Sequence, residues 1–556
     1  LKTSQTTKER TQSRINLEHL FPLLGTISLL SSCVILSSKK YFWNDELYSY
    51  YLLADTSFSH MLGAFHDKIN NTPIIYFAAG WCWDAVFGSS ELSLRLFSSA
   101  GMCIALFITW HTLRYNYNFL SAAIGTLGVF CTSQLILDQN AEARMYGLFL
   151  ALFAWAFYHY ESALKNPISI KKYRFLGFLI HALIIHTHLF GLFYSGAIVI
   201  AFIVRDTYFR DHTPKNYVPI LLSWCTFLLY LPSFLIQSDA GKPRTWIPEP
   251  TLYELTKYVS LSSSDFVHIG IFLSLVLIAG LQFLVSSSHP AFSEKSISTH
   301  ENTSKISSLI LGYILLFIPL FIWLFSKIIR PLYLEKYMIG STIGWTIIIA
   351  YTCSTLLTDP NQVLKNSYAT RRFITYGVGI LLPGMLLLVL LINPVRFAYT
   401  FPKDTLPGSI DSSFGYEDLP VVEQTSHQFM RKIHYSPQKN RYYFILDWQA
   451  PIDEKSGQFS PQEYKHLDAF KRNYPKIFEN NIMSSQDFLA KYERFLVMDY
   501  AAYTRKCPLK AKGIHNWQDI HCPQWVEMRL LNNASYKVTH LGVSSEEAVL
   551  LVEKQK

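Results

Sequence analysis

The feature that most constrains this chain is a recurring length. Apolar runs of about 17–22 residues return along it, and that is the length at which a helix crosses a hydrocarbon core of about 30 Å. They lie near 19–38, 93–113, 119–137, 146–163, 174–188, 189–204, 217–237, 266–286, 306–326, 337–357 and 373–393. The expected fold is therefore mainly α, a polytopic membrane protein with about 11 transmembrane helices by this criterion. Composition agrees: 50% of the 556 residues are apolar, 15% aromatic and 16% charged, against about 25% charged in soluble domains. The first run reads as a span rather than a cleavable signal peptide, being long and lacking a small-residue cleavage site before Lys39-Lys40.

One segment sets the topology. Pro73–Phe87 is apolar but short, about 15 residues against the roughly 20 a span needs, with Asp84 among Trp81 and Trp83; this suits an interfacial helix lying in the membrane plane. If it does not cross, Lys8, Arg10 and Arg14, Arg114, the Lys165–Arg174 group, the Arg205–Lys215 group, and Lys365, Arg371 and Arg372 fall on one side. The positive-inside rule makes that side cytoplasmic. The N-terminus is then cytoplasmic, and everything after the last span lies on the outer, periplasmic or extracellular face. The expected division is a transmembrane domain at 1–393 and a soluble outer domain at 394–556.

The tail opens on a Pro/Gly/Ser-rich linker, Pro402 to Ser413, and holds no spanning run. Short β-rich pieces at 442–446, 495–498 and 548–552 alternate with helix-like stretches at 461–472 and 485–492, which predicts a small α/β domain. Cys507 and Cys522 lie there, where a disulfide is permitted; the other six cysteines sit in apolar segments as small hydrophobes. The net charge of +9 is spread over cytoplasmic loops. No basic patch forms, so nucleic acid is not an expected partner.

With the topology set, the outer face collects polar residues. The first outer loop carries Asp45, Glu46, His60, His66, Asp67, Lys68, Asn70 and Asn71; the next turn runs from Asp138 through Glu142 and Arg144 to Tyr146. His186-Thr187-His188 follows, then the loop Asp239 to Asp265, then Arg330 through Glu335-Lys336-Tyr337. Each has a bland reading alone: a solvated loop carboxylate, an interfacial histidine pair, a snorkelling cation. Their coincidence on one face is what argues for a site.

These residues carry a resemblance. Trp43-x-Asp45-Glu46, Asn71-Thr72-Pro73-Ile74-Ile75-Tyr76, Leu94-Arg95-Leu96, Gln139 to Leu148 (with Glu142-Ala143-Arg144-Met145-Tyr146), His186-Thr187-His188-Leu189-Phe190-Gly191, Trp246-Ile247-Pro248 and Glu335-Lys336-Tyr337 occur in order over roughly residues 40–345. The set resembles the GT-C superfamily of polyprenyl-phosphate-sugar-dependent glycosyltransferases, closest to its RgtA/B/C/D-like, protein-mannosyltransferase-like and ArnT-like branch. Departures are Thr72 for the first Pro of a Pro-Pro pair, Asn71 where relatives have His or Lys, two residues inserted after Gln139, and Lys336 for Arg. Lysine is a point charge without the bidentate fork of arginine, which leaves the lipid-phosphate contacts open.

The resemblance implies a GT-C fold in the inner (plasma) membrane and an inverting transfer of sugar from a polyprenyl-phosphate donor to a glycan, lipid or protein hydroxyl at the outer face. One carboxylate must take the acceptor's proton, and Asp45 is the expected base with Glu46 orienting it or the acceptor. Arg144, Lys336 and Arg330 are the expected cations for the leaving phosphate, with Tyr146 and Tyr337 donating hydrogen bonds. His186, His188 and Asn71 fall among the substrate-binding residues, and Glu142 pairs with Arg144 or holds the acceptor. Asp45, Glu46, His186 and His188 make a divalent-metal site only if their loops converge; the resemblance implies none. Two other classes stay open on the residues: a transporter or flippase of a lipid-linked glycan, against which stands the scarcity of carboxylates inside the spans, and a non-catalytic membrane assembly protein.

Overall fold

A computed structural model describes residues 19–165, 170–210, 214–242, 247–259, 274, 277, 296–356, 382–408, 414–449, 461–500, 524–526, 529–530, 533–544 and 547–555. The expected span at 266–286, the start of the one at 373–393, Arg244 and Trp246, and the Cys507/Cys522 pair lie outside them.

The helices follow the apolar runs. They are α1 (Leu20–Ser37), α2 (Asn44–Leu53), α3 (Phe58–His66), α4 (Ile74–Phe87), α5 (Glu91–Leu113), α6 (Phe119–Phe130), α7 (Gln134–Asn140), α8 (Tyr146–Lys165), α9 (Ile170–Ile185), α10 (Gly191–Phe209), α11 (Val218–Trp224), α12 (Phe227–Ser238), α13 (Leu252–Val259), α14 (Ser296–Ile328), α15 (Thr342–Leu356) and α16 (Leu382–Thr400). Among the described residues five helices are long and apolar enough to cross a membrane, and a sixth if α6 and α7, bent by 64° at their junction, form one span. The chain is a multi-pass membrane protein, with α8, α9, α15 and α16 completing the bundle.

Two places show how the sequence sets the geometry of the face that carries Asp45. Helix α4 is 14 residues long, about 21 Å at 1.5 Å per residue, short of a bilayer core. It stops at Gly88, whose φ of 78° suits glycine, and Ser90 then caps α5 through the Ser93 N–H. The second place is the crossing of α5 and α8. A Cβ on Gly101 would stand 2.3 Å from the carbonyl carbon of Gly147, and one on Gly147 would stand 1.9 Å from the Ser98 carbonyl oxygen. The two backbones touch, as small residues allow between membrane helices, and this brings the turn before α8, with Glu142 and Arg144, against the outer end of α5.

The tail folds as expected in kind. Strands β1 (Val421–Glu423), β2 (Tyr442–Ile445), β3 (Ile482–Met483), β4 (Arg494–Tyr500), β5 (Tyr536–Ser544) and β6 (Glu547–Lys554) form one sheet in the order β3-β2-β1-β4-β6-β5. The first four are parallel, with β6 and β5 added antiparallel. Helices α17 (Ser426–Tyr435), α18 (Gln462–Asn473) and α19 (Ser485–Lys491) connect the parallel strands, as parallel pairing requires. The sequence pieces at 442–446, 495–498 and 548–552 are β2, β4 and β6; β1, β5 and α17 carried no comparable signal.

This α/β domain sits on the same side as Asp45. The Tyr435 hydroxyl accepts from the Phe42 N–H at 2.8 Å and donates to Glu91. Tyr474 donates to the Tyr51 carbonyl at 2.9 Å, Arg472 pairs with Asp67 at 2.9 Å, and Lys465 pairs with Asp239 at 3.2 Å. The domain therefore rests on the segment between α1 and α5 and on the loop after α12.

Candidate active site

Helix α2 delivers two adjacent carboxylates to different places. Its first turn favours acids, which meet the positive end of the helix. Glu46 turns inward: its oxygens take the Arg95 Nε at 2.8 Å and NH2 at 2.9 Å, the Ala143 N–H at 2.8 Å and the Trp43 N–H at 3.2 Å. Neither Glu46 nor Arg95 is exposed. Glu46 was expected to orient Asp45 or the acceptor; the four hydrogen bonds that its carboxylate accepts come from Arg95, Ala143 and Trp43. It is a brace that ties α2 to α5 and to the turn before α8.

Asp45, one residue earlier on the helix, keeps 24% of its side chain exposed. Its Oδ2 lies 2.7 Å from Lys336 Nζ and 3.8 Å from Arg144 NH2. Arg144 is held besides by the Asp45 carbonyl and by Ser49 Oγ, both at 2.9 Å, and Lys336 lies 4.7 Å over the Trp43 ring, a cation–π contact. Burial alone would raise the Asp45 carboxyl; the Lys336 ammonium and then the Arg144 guanidinium overrule it and hold the group far below the usual carboxylate range. The centre is a carboxylate with two cations, one positive charge in excess.

Around this centre the structure gathers most of the expected residues. His188 stacks its ring 5.7 Å from Tyr146 and 5.2 Å from Tyr337. Burial, helped by Arg144 and Lys336, pushes this imidazole down to about 3, so it is neutral at pH 7. Its Nδ1 accepts the Phe190 N–H at 3.1 Å, which leaves the proton on Nε2. The Tyr146 hydroxyl is buried without a hydrogen bond.

Glu142 does not pair with Arg144 as expected: the link is between backbones, Arg144 N–H to the Glu142 carbonyl at 2.7 Å. Its Oε2 is buried and unpartnered. Burial pushes this carboxyl up to about 7, with Lys40 the first charge pulling it back.

Three expected residues stand apart. His186 turns away from His188, its Nε2 donating to the carbonyl and Oγ1 of Thr226, both at 3.1 Å, where the chain breaks between α11 and α12. Arg330 is exposed and reaches the Gly241 carbonyl at 3.3 Å. Asn71 lies on the rim, its amide nitrogen donating to the Gln237 carbonyl at 2.8 Å and its oxygen accepting from Gln462 at 3.2 Å. The four side chains weighed for a divalent cation thus do not converge, and among the described residues no three His, Cys, Asp or Glu side chains form a metal-binding group.

Three further side chains belong to this centre: Ser49 and Trp43, which hold the two cations, and Tyr76, whose buried hydroxyl carries no hydrogen bond and is pushed well above the usual phenol range by burial, with nearby Arg144 pulling it back. His427 of the outer domain lies close enough to feel both Asp45 and Lys336. Trp43 and Tyr76 stood in quoted motifs; Ser49 and His427 carried no signal of their own.

No protein-family model matches the sequence, and no curated protein matches it. Solved structures do share its fold. ArnT from Cupriavidus metallidurans in the apo state superposes with a TM-score of 0.54 at 10% identity, covering 95% of this chain and 97% of that one. The same protein bound to undecaprenyl phosphate gives 0.53 at 11% identity over 95% and 97%. The chain shares the fold of these ArnT structures along nearly its whole length.

Proposed function

We propose that this ArnT-like membrane protein is a glycosyltransferase that moves a sugar from a polyprenyl-phosphate donor to an acceptor hydroxyl at the outer face of the inner (plasma) membrane. In this reading the N-terminus is cytoplasmic and the α/β domain, residues 394–556, is periplasmic or extracellular. The observation that carries it is the partly exposed Asp45 carboxylate shared by Lys336 at 2.7 Å and Arg144 at 3.8 Å. That the ArnT structure was obtained with undecaprenyl phosphate supports a lipid phosphate as the anion the surplus charge awaits.

The chemistry follows from the charge count. Without donor, both cations hold Asp45 ionised and weakly basic. A donor phosphate brings its own anionic oxygens, draws Lys336 and Arg144 toward itself, and leaves Asp45 the stronger base of the cleft. The acceptor hydroxyl attacks the anomeric carbon from the face opposite the phosphate, its proton passing to Asp45. The bond from the anomeric carbon to the phosphate oxygen breaks, its electron pair leaves on that oxygen, and Arg144 and Lys336 neutralise the charge that develops. The products are the inverted glycoside and the polyprenyl phosphate. His188, neutral with Nε2–H, and the Tyr146 hydroxyl are placed to donate to either substrate.

Asp45→Asn keeps the shape of the side chain and removes the base. Transfer from a polyprenyl-phosphate sugar should fall about 1,000-fold, within the range for losing a general base, with the melting temperature and the yield of protein preserved. Turnover equal to that of the unaltered enzyme would refute Asp45 as the base.

A further inference from the structure

The outer domain brings its own chemistry to Asp45. In its sheet β1, β2 and β3 step in one direction while β4 lies on the other side of β1, so the winding reverses at β1. In open α/β sheets ligands bind outside the carboxyl ends of the strands at such a reversal. Helix α17 starts directly after the carboxyl end of β1, and α18 reaches α2 through His466 and Phe470, whose rings lie 5.3 Å from that of Tyr48.

There Glu463 Oε1 stands 3.6 Å from His427 Nε2, and Glu463 Oε2 stands 3.4 Å from the Ser426 N–H. His427 feels the charges of Asp45 and Lys336. Tyr48, on α2 beside Asp45, has its hydroxyl close to Ser426 and Asn44. Yet Asn44 Oδ1, Tyr48 OH and Ser426 Oγ are each buried without closing a hydrogen bond, although buried polar atoms nearly always find partners. The charged groups around them still reach solvent: side-chain exposure is 24% for Asp45, 17% for Lys336, 34% for His427 and 24% for Glu463.

We propose that the outer domain closes an acceptor chamber over Asp45, in which Tyr48, Ser426, His427 and Glu463 hold a neutral polyhydroxyl group, the sugar ring of a glycan acceptor. This rests on the reading of Asp45 as the base of a sugar transfer. The class follows from the lining. The hydroxyls and the imidazole give and take hydrogen bonds while the amide oxygen and the carboxylate accept them, a mixture that a ring of hydroxyls can satisfy. Glu463 repels an anionic acceptor, while the cations that would attract a phosphate are on the other side of Asp45, engaged by the donor. A sugar hydroxyl on Tyr48 and Ser426 would satisfy the unpartnered oxygens and leave a neighbouring hydroxyl turned to Asp45.

The test uses the full chain in lipid nanodiscs with undecaprenyl-phosphate-linked hexoses and pentoses, and three acceptors: methyl hexopyranosides, a hexose phosphate, and a Ser/Thr peptide. Transfer to the methyl glycosides is expected, with Glu463→Gln and Ser426→Ala raising the glycoside KM at least tenfold while the donor KM does not follow. Tyr48→Phe, which removes one oxygen and keeps the ring, should raise it as well and guards against loss of fold in the other two. An unaltered glycoside KM in folded variants overturns the chamber alone, as does transfer to the peptide or the sugar phosphate in preference to the glycosides. An unaltered enzyme that turns over none of the donors defeats the transferase reading together with the chamber.

Discussion

Two ion clusters in this protein are mirror images in charge and opposite in access. At Asp45 one carboxylate is held between two cations, Lys336 and Arg144, and the group keeps partial access to solvent. In the α/β domain Lys432 sits between two carboxylates, 2.5 Å from Glu423 Oε1 and 2.8 Å from Glu547 Oε2, with 3% of its side chain exposed. Both join elements distant in sequence. The sealed cluster has no route for a ligand, so its charges can only brace β1, α17 and β6. The open one carries a positive surplus toward solvent, where an anion can displace the resident carboxylate. Glu46 and Arg95, balanced and sealed, belong with Lys432 although Glu46 adjoins Asp45 in the chain. Access and surplus charge, rather than residue type, separate a site from a strut.

The largest effect that sharpens this contrast should come from the sealed cluster. Lys432→Met leaves two carboxylates buried together, and breaking a buried ion network by removing one partner costs about 3–5 kcal/mol. Thermal unfolding in detergent should show that loss, and Lys432→Met combined with Glu423→Gln and Glu547→Gln should recover most of it. A single variant as stable as the parent would break the comparison. Next comes the open cluster, where Lys336→Gln should cost little stability but lower kcat/KM about 100-fold or more, the scale for losing one preorganised group that stabilises a developing anion. If it melts the protein instead, Lys336 is a strut.

The spans were legible because their signal is a length, about 17–22 apolar residues, and α1, α5, α10 and α14 fall where that length placed them. The strands β2, β4 and β6 were legible as β-rich runs, whereas β1 is three residues long and too short for periodicity. The site was legible by halves. Asp45, Arg144, His188 and Lys336 were picked out by motif, yet nothing local shows that Lys336, 291 positions away, lands on Asp45. Nor does the sequence separate Asp45 from Glu46: the difference arises because Arg95, on another helix, meets one of them. His427 and Glu463 lie in a tail without motifs and enter the cleft through the winding of the sheet alone.

Glu142 gives a smaller effect with a definite sign. It lies in the turn before α8, and burial raises its carboxyl from 4.5 to about 7. The unfolded chain therefore releases this proton near 4.5 while the folded protein keeps it until about 7. Stability from this group is full below pH 4.5, falls as pH rises, and is lowest above 7, where folding must bury a charge. The spread corresponds to about 3 kcal/mol. Glu142→Gln should match the parent in thermal unfolding near pH 4.5 and exceed it at pH 8. Equal melting at both values would show that Lys40 or solvent already neutralises the group.

The smallest effect tests the boundary of the open cluster. Arg330 was expected with Lys336 and Arg144 on the leaving phosphate, but its guanidinium is exposed and meets the Gly241 carbonyl at 3.3 Å. Gly241 belongs to the loop that Lys465 of α18 also grips, through the carbonyls of Asp239 and Lys242 at 2.7 and 3.1 Å. Arg330 therefore supports the seat of the outer domain, where one exposed hydrogen bond among several changes little, about 0.5 kcal/mol. Arg330→Ala should leave kcat/KM within about twofold, far from the effect of Lys336→Gln. A loss of 100-fold would place Arg330 on the phosphate and extend the cation cluster past Asp45 to the rim. The donor headgroup would then lie along the cleft toward Gly241 rather than between Lys336 and Arg144.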